Sequence, residues 1–153
     1  MLYFAYGSNM CASLLAERLG REGRRFFERR HGTAHGYRLV FDKRSSIEAF
    51  VGYANIRPEP GSCVEGTLNE LDDAALDLLD RIELVPSQYR RELIAVHDSA
   101  TGKQVSAFAY LGQPDVIDQT VRPTRDYVDR LLRAADVLPP SYIRMLSAVA
   151  CHQ

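Results

Sequence analysis

Tyr3-Phe4-Ala5-Tyr6-Gly7-Ser8-Asn9 is an apolar run that breaks at a glycine and leads straight into a helical pattern. It reads as a buried strand, a tight turn and a helix entrance. A turn of this kind leaves several backbone N–H groups unpaired and pointing one way, an arrangement suited to a carboxylate or an oxyanion. The same residues have a plainer reading, in which Gly7 supplies an unusual φ and Ser8 or Asn9 caps the helix.

Outward from this stretch, residues 2–6 form the first expected strand and 10–19 the first helix, with Met10, Leu14, Leu15 and Leu19 apolar. Residues 20–32 are charged and irregular. Their basic run, Arg21, Arg24, Arg25, Arg29 and Arg30, is interrupted by Glu22 and Glu28 and reads as a solvated loop face. Strand-like runs follow at 35–41, 50–56 and 64–71; Tyr37, Leu39 and Phe41 alternate as on a sheet with one dry face. Arg57-Pro58-Glu59-Pro60-Gly61-Ser62 has the chemistry of a turn. A helix is expected at 72–82, then strands at 89–97 and 104–111 joined as a hairpin. Thr124 can cap a helix over 124–136 whose face carries Tyr127, Val128, Leu131, Leu132 and Ala135, and Pro139-Pro140 starts a last helix. These elements do not alternate strand with helix, which argues against a doubly wound parallel sheet. The expectation is an α+β fold: a small mixed β-barrel of about six strands with surrounding helices, residues 1–153 forming a single domain.

Composition narrows the partners. A formal net charge of −1 gives no basic field for nucleic acid. No apolar stretch approaches the roughly 20 residues of a membrane span, and no cationic segment precedes a long apolar run, so no signal peptide is expected. Cys11, Cys63 and Cys151 are odd in number and far apart, which fits a reducing cytoplasm better than a disulfide framework or a zinc cluster. His31 and His35 flank Gly32 ahead of a strand-like run, so no helical metal pair, and no metal site, is expected.

One carboxylate stands in an expensive place. Around the helix at 72–82, Asp73, Asp77, Asp80 and Arg81 share a solvent arc, with an Asp77–Arg81 pair at i,i+4. Ala75, Leu76, Leu78, Leu79 and Ile82 fill the opposite arc. Glu83 falls between Leu76 and Leu79 if the helical phase persists. Burial there raises a carboxyl pKa toward the range a general acid or base needs. If the helix ends first, Glu83 is an ordinary exposed residue. Glu65, the other acid inside a strand-like run, is expected on an outward face.

Taken together, the opening stretch resembles the signature of the gamma-glutamylcyclotransferase family, which includes the avirulence-induced-gene-like proteins. The likeness continues in order through Gly36-Tyr37-Arg38-Leu39, Gly52-Tyr53-Ala54-Asn55-Ile56, Val64-Glu65-Gly66-Thr67-Leu68, Leu79-Asp80-Arg81-Ile82-Glu83, Tyr89-Arg90-Arg91, Pro123-Thr124-Arg125-Asp126-Tyr127 and Leu138-Pro139-Pro140-Ser141-Tyr142. The resemblance implies a barrel-like fold, with Tyr6, Gly7, Ser8 and Asn9 lining the substrate pocket mainly through backbone N–H groups. It also implies Glu83 as the catalytic acid/base and Tyr127 as a substrate contact, with Tyr89 and Tyr110 nearby. The implied reaction is attack of a substrate α-amine on its own γ-carbonyl, releasing 5-oxoproline and a free amine; the enzyme would be an acyltransferase-type, amide-cleaving cyclase. The implied partner is a small-molecule gamma-glutamyl substrate, with no cofactor, no metal, no nucleic acid and no membrane, the chain acting as a monomer or homodimer. The chain departs from the family in two places. Leu84 stands where Gly commonly follows the catalytic Glu, and Pro123-Thr124 replaces the usual Pro-Ser. Two readings of other kinds remain: a carboxylate-binding protein of the same fold without turnover, and a hydrolase using Cys11 or Ser8, which lacks a His/Asp partner at sensible spacing.

Overall fold

The computed structural model describes residues 1–152. Five strands close into a barrel in the order β1-β3-β2-β4-β5. They are β1 (Leu2–Ala5), β2 (Arg29–Arg44), β3 (Gly52–Glu70), β4 (Tyr89–Asp98) and β5 (Lys103–Gly112). β1 is the short closing strand. It runs antiparallel to β3, with Leu2 opposite Glu70 and Ala5 opposite Thr67, and meets β5 in parallel at Tyr3 and Phe108. Being covered on both sides, it has no polar alternation, and Tyr3, Phe4 and Ala5 are all buried. β4 and β5 form the expected hairpin, from Tyr89 opposite Gly112 to Asp98 opposite Lys103.

The expected six strands are five because residues 57–62 do not reverse the chain. The runs at 50–56 and 64–71 belong to one strand, β3, and both halves pair with β2. The turn chemistry acts locally instead. Tyr37 faces Pro58 and His35 faces Cys63, so four residues of β3 oppose Gly36 alone, a bulge with Gly36 at φ 82° and Gly61 at φ 85°. β2 also begins earlier than expected. Arg29 and Arg30, expected in a solvated loop, lie in the strand: Arg29 donates to Met10 O (2.7 Å), and Arg30 pairs with the buried Asp98 (2.9 Å).

Four helices pack outside: α1 (Ala12–Gly20), α2 (Asp73–Ile82), α3 (Arg125–Leu132) and α4 (Pro140–Ser147). Residues 8–10, the last of them expected within the first helix, form a separate 3₁₀ turn. Asp72 caps α2 through Ala75 N–H (2.8 Å) and Thr124 caps α3 through Tyr127 N–H (3.1 Å). α3 stops at Leu132, four residues short of the expected end. The Asp77–Arg81 pair does not form: Arg81 reaches Glu22 (2.7 Å), and Asp80, expected on the solvent arc, pairs with Arg91 (2.9 Å). Glu65 is not free in solvent; it accepts from Thr33 Oγ1 (3.0 Å) and pairs with His31 Nε2, whose Nδ1 lies 2.5 Å from Ser99 Oγ. His35 packs edge-on to His97. Phe4, Met10, Leu15, Leu19, Leu76 and Leu131 belong to one buried apolar cluster between barrel and helices. Among the described residues, no helix is long and apolar enough to cross a membrane.

Candidate active site

The strand-to-turn break at Gly7 lies at one end of the barrel, where β1 hands over to the 3₁₀ turn and α2 ends. Two hollows meet there and share Ser8, Glu83, Tyr89 and Tyr127 as a common wall. The inner, smaller hollow is lined by tyrosines 3, 6, 89, 110 and 127 and by the Gly7–Asn9 turn. The outer one, 240 Å³, runs on to Arg18, Lys43 and Arg130 and passes beside Leu84.

Glu83 reaches this wall because the helical phase survives one residue past α2. Its N–H still donates to Leu79 O (2.8 Å), so its side chain stays on the arc of Leu76 and Leu79. Burial raises the Glu83 carboxyl pKa above its ordinary value, while the charges of Arg18 and Lys43 and a hydrogen bond from Asn9 oppose that rise. Asn9 Nδ2 donates to Glu83 Oε1 (3.2 Å) and to Tyr3 Oη (3.0 Å). Arg18 sets the direction of that amide: its Nη1 donates to Asn9 Oδ1 (2.5 Å) and to Ser8 Oγ (3.1 Å), leaving Nδ2 to face the carboxylate.

After Glu83 the chain turns sharply. Leu84 sits at φ 54°, with Leu84 N–H to Arg81 O (3.2 Å) and Val85 N–H to Asp80 O (2.9 Å). This is a Schellman stop, whose left-handed position is usually glycine. The departure from the family pattern at Leu84 therefore falls on a residue the backbone would prefer to be glycine.

Tyr6, Tyr89 and Tyr127 are fixed by main-chain groups. Tyr89 Oη donates to Ala54 O (3.0 Å), and Tyr127 Oη accepts from Ala54 N–H (3.1 Å). Tyr6 Oη donates to Tyr110 O, and Tyr110 Oη to Asp80 (2.7 Å). Burial drives all of their phenol pKa values upward, so they remain neutral donors at physiological pH. Gly7 has an ordinary φ of −114°, so its value is space and not unusual φ. A Cβ there would lie 3.1 Å from Tyr127 Oη and 3.3 Å from Ala54 Cβ. The first hydrogen bond of the 3₁₀ turn is Met10 N–H to Gly7 O (3.0 Å), so the N–H groups of Ser8 and Asn9 precede it. Neither Ser8 nor Asn9 caps a helix, and α1 has no side-chain cap.

The structure thus brings Tyr6, Gly7, Ser8, Asn9, Glu83 and Tyr127 to one hollow, with Tyr89 and Tyr110. Sequence reasoning missed Tyr3, Ala54, Arg18 and Lys43. Arg18 carries a signal of the same kind as Glu83: it sits three and four residues from Leu15 and Leu14, on the apolar side of α1. Lys43 does not, because a register shift between Val40 and Lys43 breaks the alternation of Tyr37 and Leu39 before it. Ser8 Oγ is engaged by Arg18 and Cys11 Sγ lies near Ser13 Oγ (3.3 Å); neither has a histidine partner. Among the described residues, no group of three His, Cys, Asp or Glu side chains is placed to hold a metal ion.

Residues 3–129 match the family model described as gamma-glutamyl cyclotransferase, AIG2-like. No curated protein matches the sequence. Among solved structures, a gamma-glutamyl cyclotransferase is 23% identical and superposes with a TM-score of 0.84 over 100% of this chain and 89% of its own. An uncharacterized human protein is 26% identical, with a TM-score of 0.82 over 99% and 89% of the two chains. A yeast gamma-glutamyl cyclotransferase specific to glutathione is 12% identical, with a TM-score of 0.64 over 96% and 93%. The first and third likenesses are likenesses of fold.

Proposed function

The chain belongs to the gamma-glutamyl cyclotransferase, AIG2-like family, and on that premise we propose that it converts a γ-glutamyl amide into 5-oxoproline and a free amine, with Glu83 as the acid/base. The observation that carries this reading is the position of Glu83. Glu83 lies in the shared wall of a smaller and a larger hollow. A γ-glutamyl group in the inner hollow and its amine in the outer one set the scissile amide beside that carboxylate.

The substrate carries its own nucleophile. Its α-amine is mostly an ammonium at neutral pH. Glu83 takes a proton, and the freed amine attacks the γ-carbonyl. A ring N–C bond forms, the amide C–N bond breaks, and the departing nitrogen collects the two protons that the α-ammonium gives up. One carboxyl can carry them in turn, contributing roughly 10²–10⁴-fold. Holding amine and carbonyl in contact supplies more, since intramolecular reactions of good geometry reach effective molarities of about 10⁵ M and above. The N–H groups of the Gly7–Asn9 turn and the phenol of Tyr127, whose proton is not spent on Ala54, face the negative oxygens of the glutamyl group. None of these steps needs a metal.

A carboxylate-binding protein without turnover would have no use for a buried acid kept above its ordinary pKa, so Glu83 favours catalysis. Replacing Glu83 by Gln keeps shape and polarity and removes the proton acceptor. The expected outcome is loss of 5-oxoproline release by at least about 10²-fold, with binding of 5-oxoproline retained.

A further inference from the structure

Ser8 and Cys11 have no histidine partner among the described residues; Ser99 has one. It opens the β4–β5 turn, exposed to solvent, and its Oγ lies 2.5 Å from His31 Nδ1. The other ring nitrogen of His31, Nε2, is paired with Glu65 Oε2. The three side chains come from three places in the barrel: His31 from β2, Glu65 from β3 and Ser99 from the turn that follows β4. None of them lines either hollow beside Glu83.

The trio is held from both ends. Thr33 Oγ1 reaches both carboxylate oxygens of Glu65, at 3.2 and 3.0 Å, and fixes the acid as an acceptor. A carboxylate cannot donate, so in the neutral imidazole the proton sits on His31 Nε2 and Nδ1 keeps its lone pair. The contact at Nδ1 is then donated by Ser99 Oγ. At the other end, Ser99 N–H donates to His31 O (3.3 Å), which keeps the hydroxyl beside its imidazole. Asp98, buried and paired with Arg30, accepts from Ala100 N–H (3.0 Å), and Gly102 N–H donates to Asp98 O (2.8 Å). The turn that carries Ser99 is therefore braced, while Ala100, Thr101 and Gly102 are exposed and leave the hydroxyl open to a reactant.

We propose that Ser99, His31 and Glu65 form a second nucleophilic site, independent of the cyclotransferase reading, in which Ser99 Oγ takes the acyl group of small activated esters. A hydroxyl, a base within hydrogen-bond reach and a third group that orients the base are what nucleophilic catalysis by serine requires. As Oγ bonds to the acyl carbon, its proton passes to His31 Nδ1. The bond from the acyl carbon to the leaving oxygen breaks, and that oxygen takes the proton from Nδ1. Glu65 keeps the Nε2 proton in place and offsets the imidazolium charge between the two transfers. The products are an acyl-Ser99 and a free alcohol, and no oxidant or further reactant enters. A cluster that only tied β2, β3 and the turn together would leave Ser99 no more reactive than Ser87 or Ser147, exposed serines whose hydroxyls donate to main-chain oxygens.

The test is labelling of the full chain with an alkyl fluorophosphonate, read residue by residue by mass spectrometry. Its phosphorus stands in for the acyl carbon: a P–O bond to Ser99 forms, the P–F bond breaks, and fluoride leaves with the serine proton. The adduct does not depend on a slow deacylation to be seen. In native wild-type protein Ser99 should label at least about 10²-fold faster than Ser87 or Ser147, the factor a positioned base supplies. That advantage should vanish in denaturing urea. His31→Gln, which keeps a polar side chain in β2, should slow Ser99 labelling by about 10²-fold or more. The comparison within wild-type protein decides the matter even where His31→Gln folds poorly. Absence of a Ser99 adduct, labelling no faster than at Ser87 and Ser147, or an unchanged rate in a folded His31→Gln overturns the proposal. The readout is a covalent adduct and not 5-oxoproline, so the result stands whatever Glu83 proves to do.

Discussion

Burial makes ionisation of Glu83 a cost to the fold. Its raised pKa means that the native state binds the proton more tightly than the unfolded chain. The associated stability is fully present below the ordinary carboxylate pKa of about 4.3 and is lost as pH rises through the higher native value. Above the ordinary carboxylate pKa the buried group therefore counts against the fold, and Glu83→Gln removes that cost. Thermal unfolding at pH 7 should show the variant melting at or above the wild type, with the gap closing toward pH 4. A variant that melted well below wild type at pH 7 would mean that Glu83 stabilises the fold and was placed there for that reason. Gly7 makes the complementary case for space. Gly7→Ala leaves an ordinary φ but brings a Cβ to 3.1 Å from Tyr127 Oη. Its kcat/KM should fall by about tenfold or more, because sub-ångström displacement of substrate contacts is costly, while its melting temperature changes little. Unaltered kinetics in Gly7→Ala would remove the turn from the site.

At the scale of the element, α2 decides where the acid goes, and its ending sets the rim of the outer hollow. Leu84 occupies the left-handed position of the Schellman stop at φ 54° with half of its side chain in solvent. A branched residue in that conformation costs about 1 kcal/mol or more relative to glycine. Leu84→Gly should raise the melting temperature by about 2–4 °C, the shift 1 kcal/mol produces at this chain length. An unchanged or lower midpoint would show that packing of the Leu84 side chain outweighs the strain. The helical phase that places Glu83 is legible in the amino-acid sequence, because apolar positions recur every three to four residues up to Ile82 and Glu83 simply continues them. Arg18 is equally legible as a charge on the apolar side of α1. Lys43 is not: a register shift between Val40 and Lys43 breaks the alternation that carries Tyr37 and Leu39, and Asp42 and Lys43 are both buried. Residues 57–62 mislead for a physical reason. Two prolines deprive a strand of ladder donors and the glycine admits a bend, but a bulge absorbs both as well as a reversal does, and composition does not distinguish the two.

Over the whole molecule, barrel closure rests on two thin seams. β1 meets β5 at a single residue pair, and β2 meets β4 through Gly32–Asp98 and Thr33–His97. The second seam is held by charge: Arg30 Nε lies 2.9 Å from Asp98, whose side chain is 1% exposed. Strand pairing across such seams involves residues far apart in sequence, which is why the sequence pattern yields strands and hairpin but not the order in which they close. Arg30→Met strands the Asp98 carboxylate and should destabilise the protein by about 3 kcal/mol in denaturant titration; a loss below about 1 kcal/mol would show that the seam does not depend on this pair. The barrel's role is to hold a turn from β1, an acid from α2, a tyrosine from α3 and a lysine from β2 around two adjoining hollows. The central claim is that these hollows receive the two halves of a γ-glutamyl amide on either side of Glu83. Its most direct test is release of 5-oxoproline from a panel of γ-glutamyl compounds by wild-type protein and Glu83→Gln, side by side and with EDTA present. The account predicts 5-oxoproline in stoichiometric balance with free amine from the wild type, and a rate at least about 10²-fold lower from the variant. Equal rates from the two proteins, or wild-type release abolished by EDTA and restored by zinc or manganese, would contradict it.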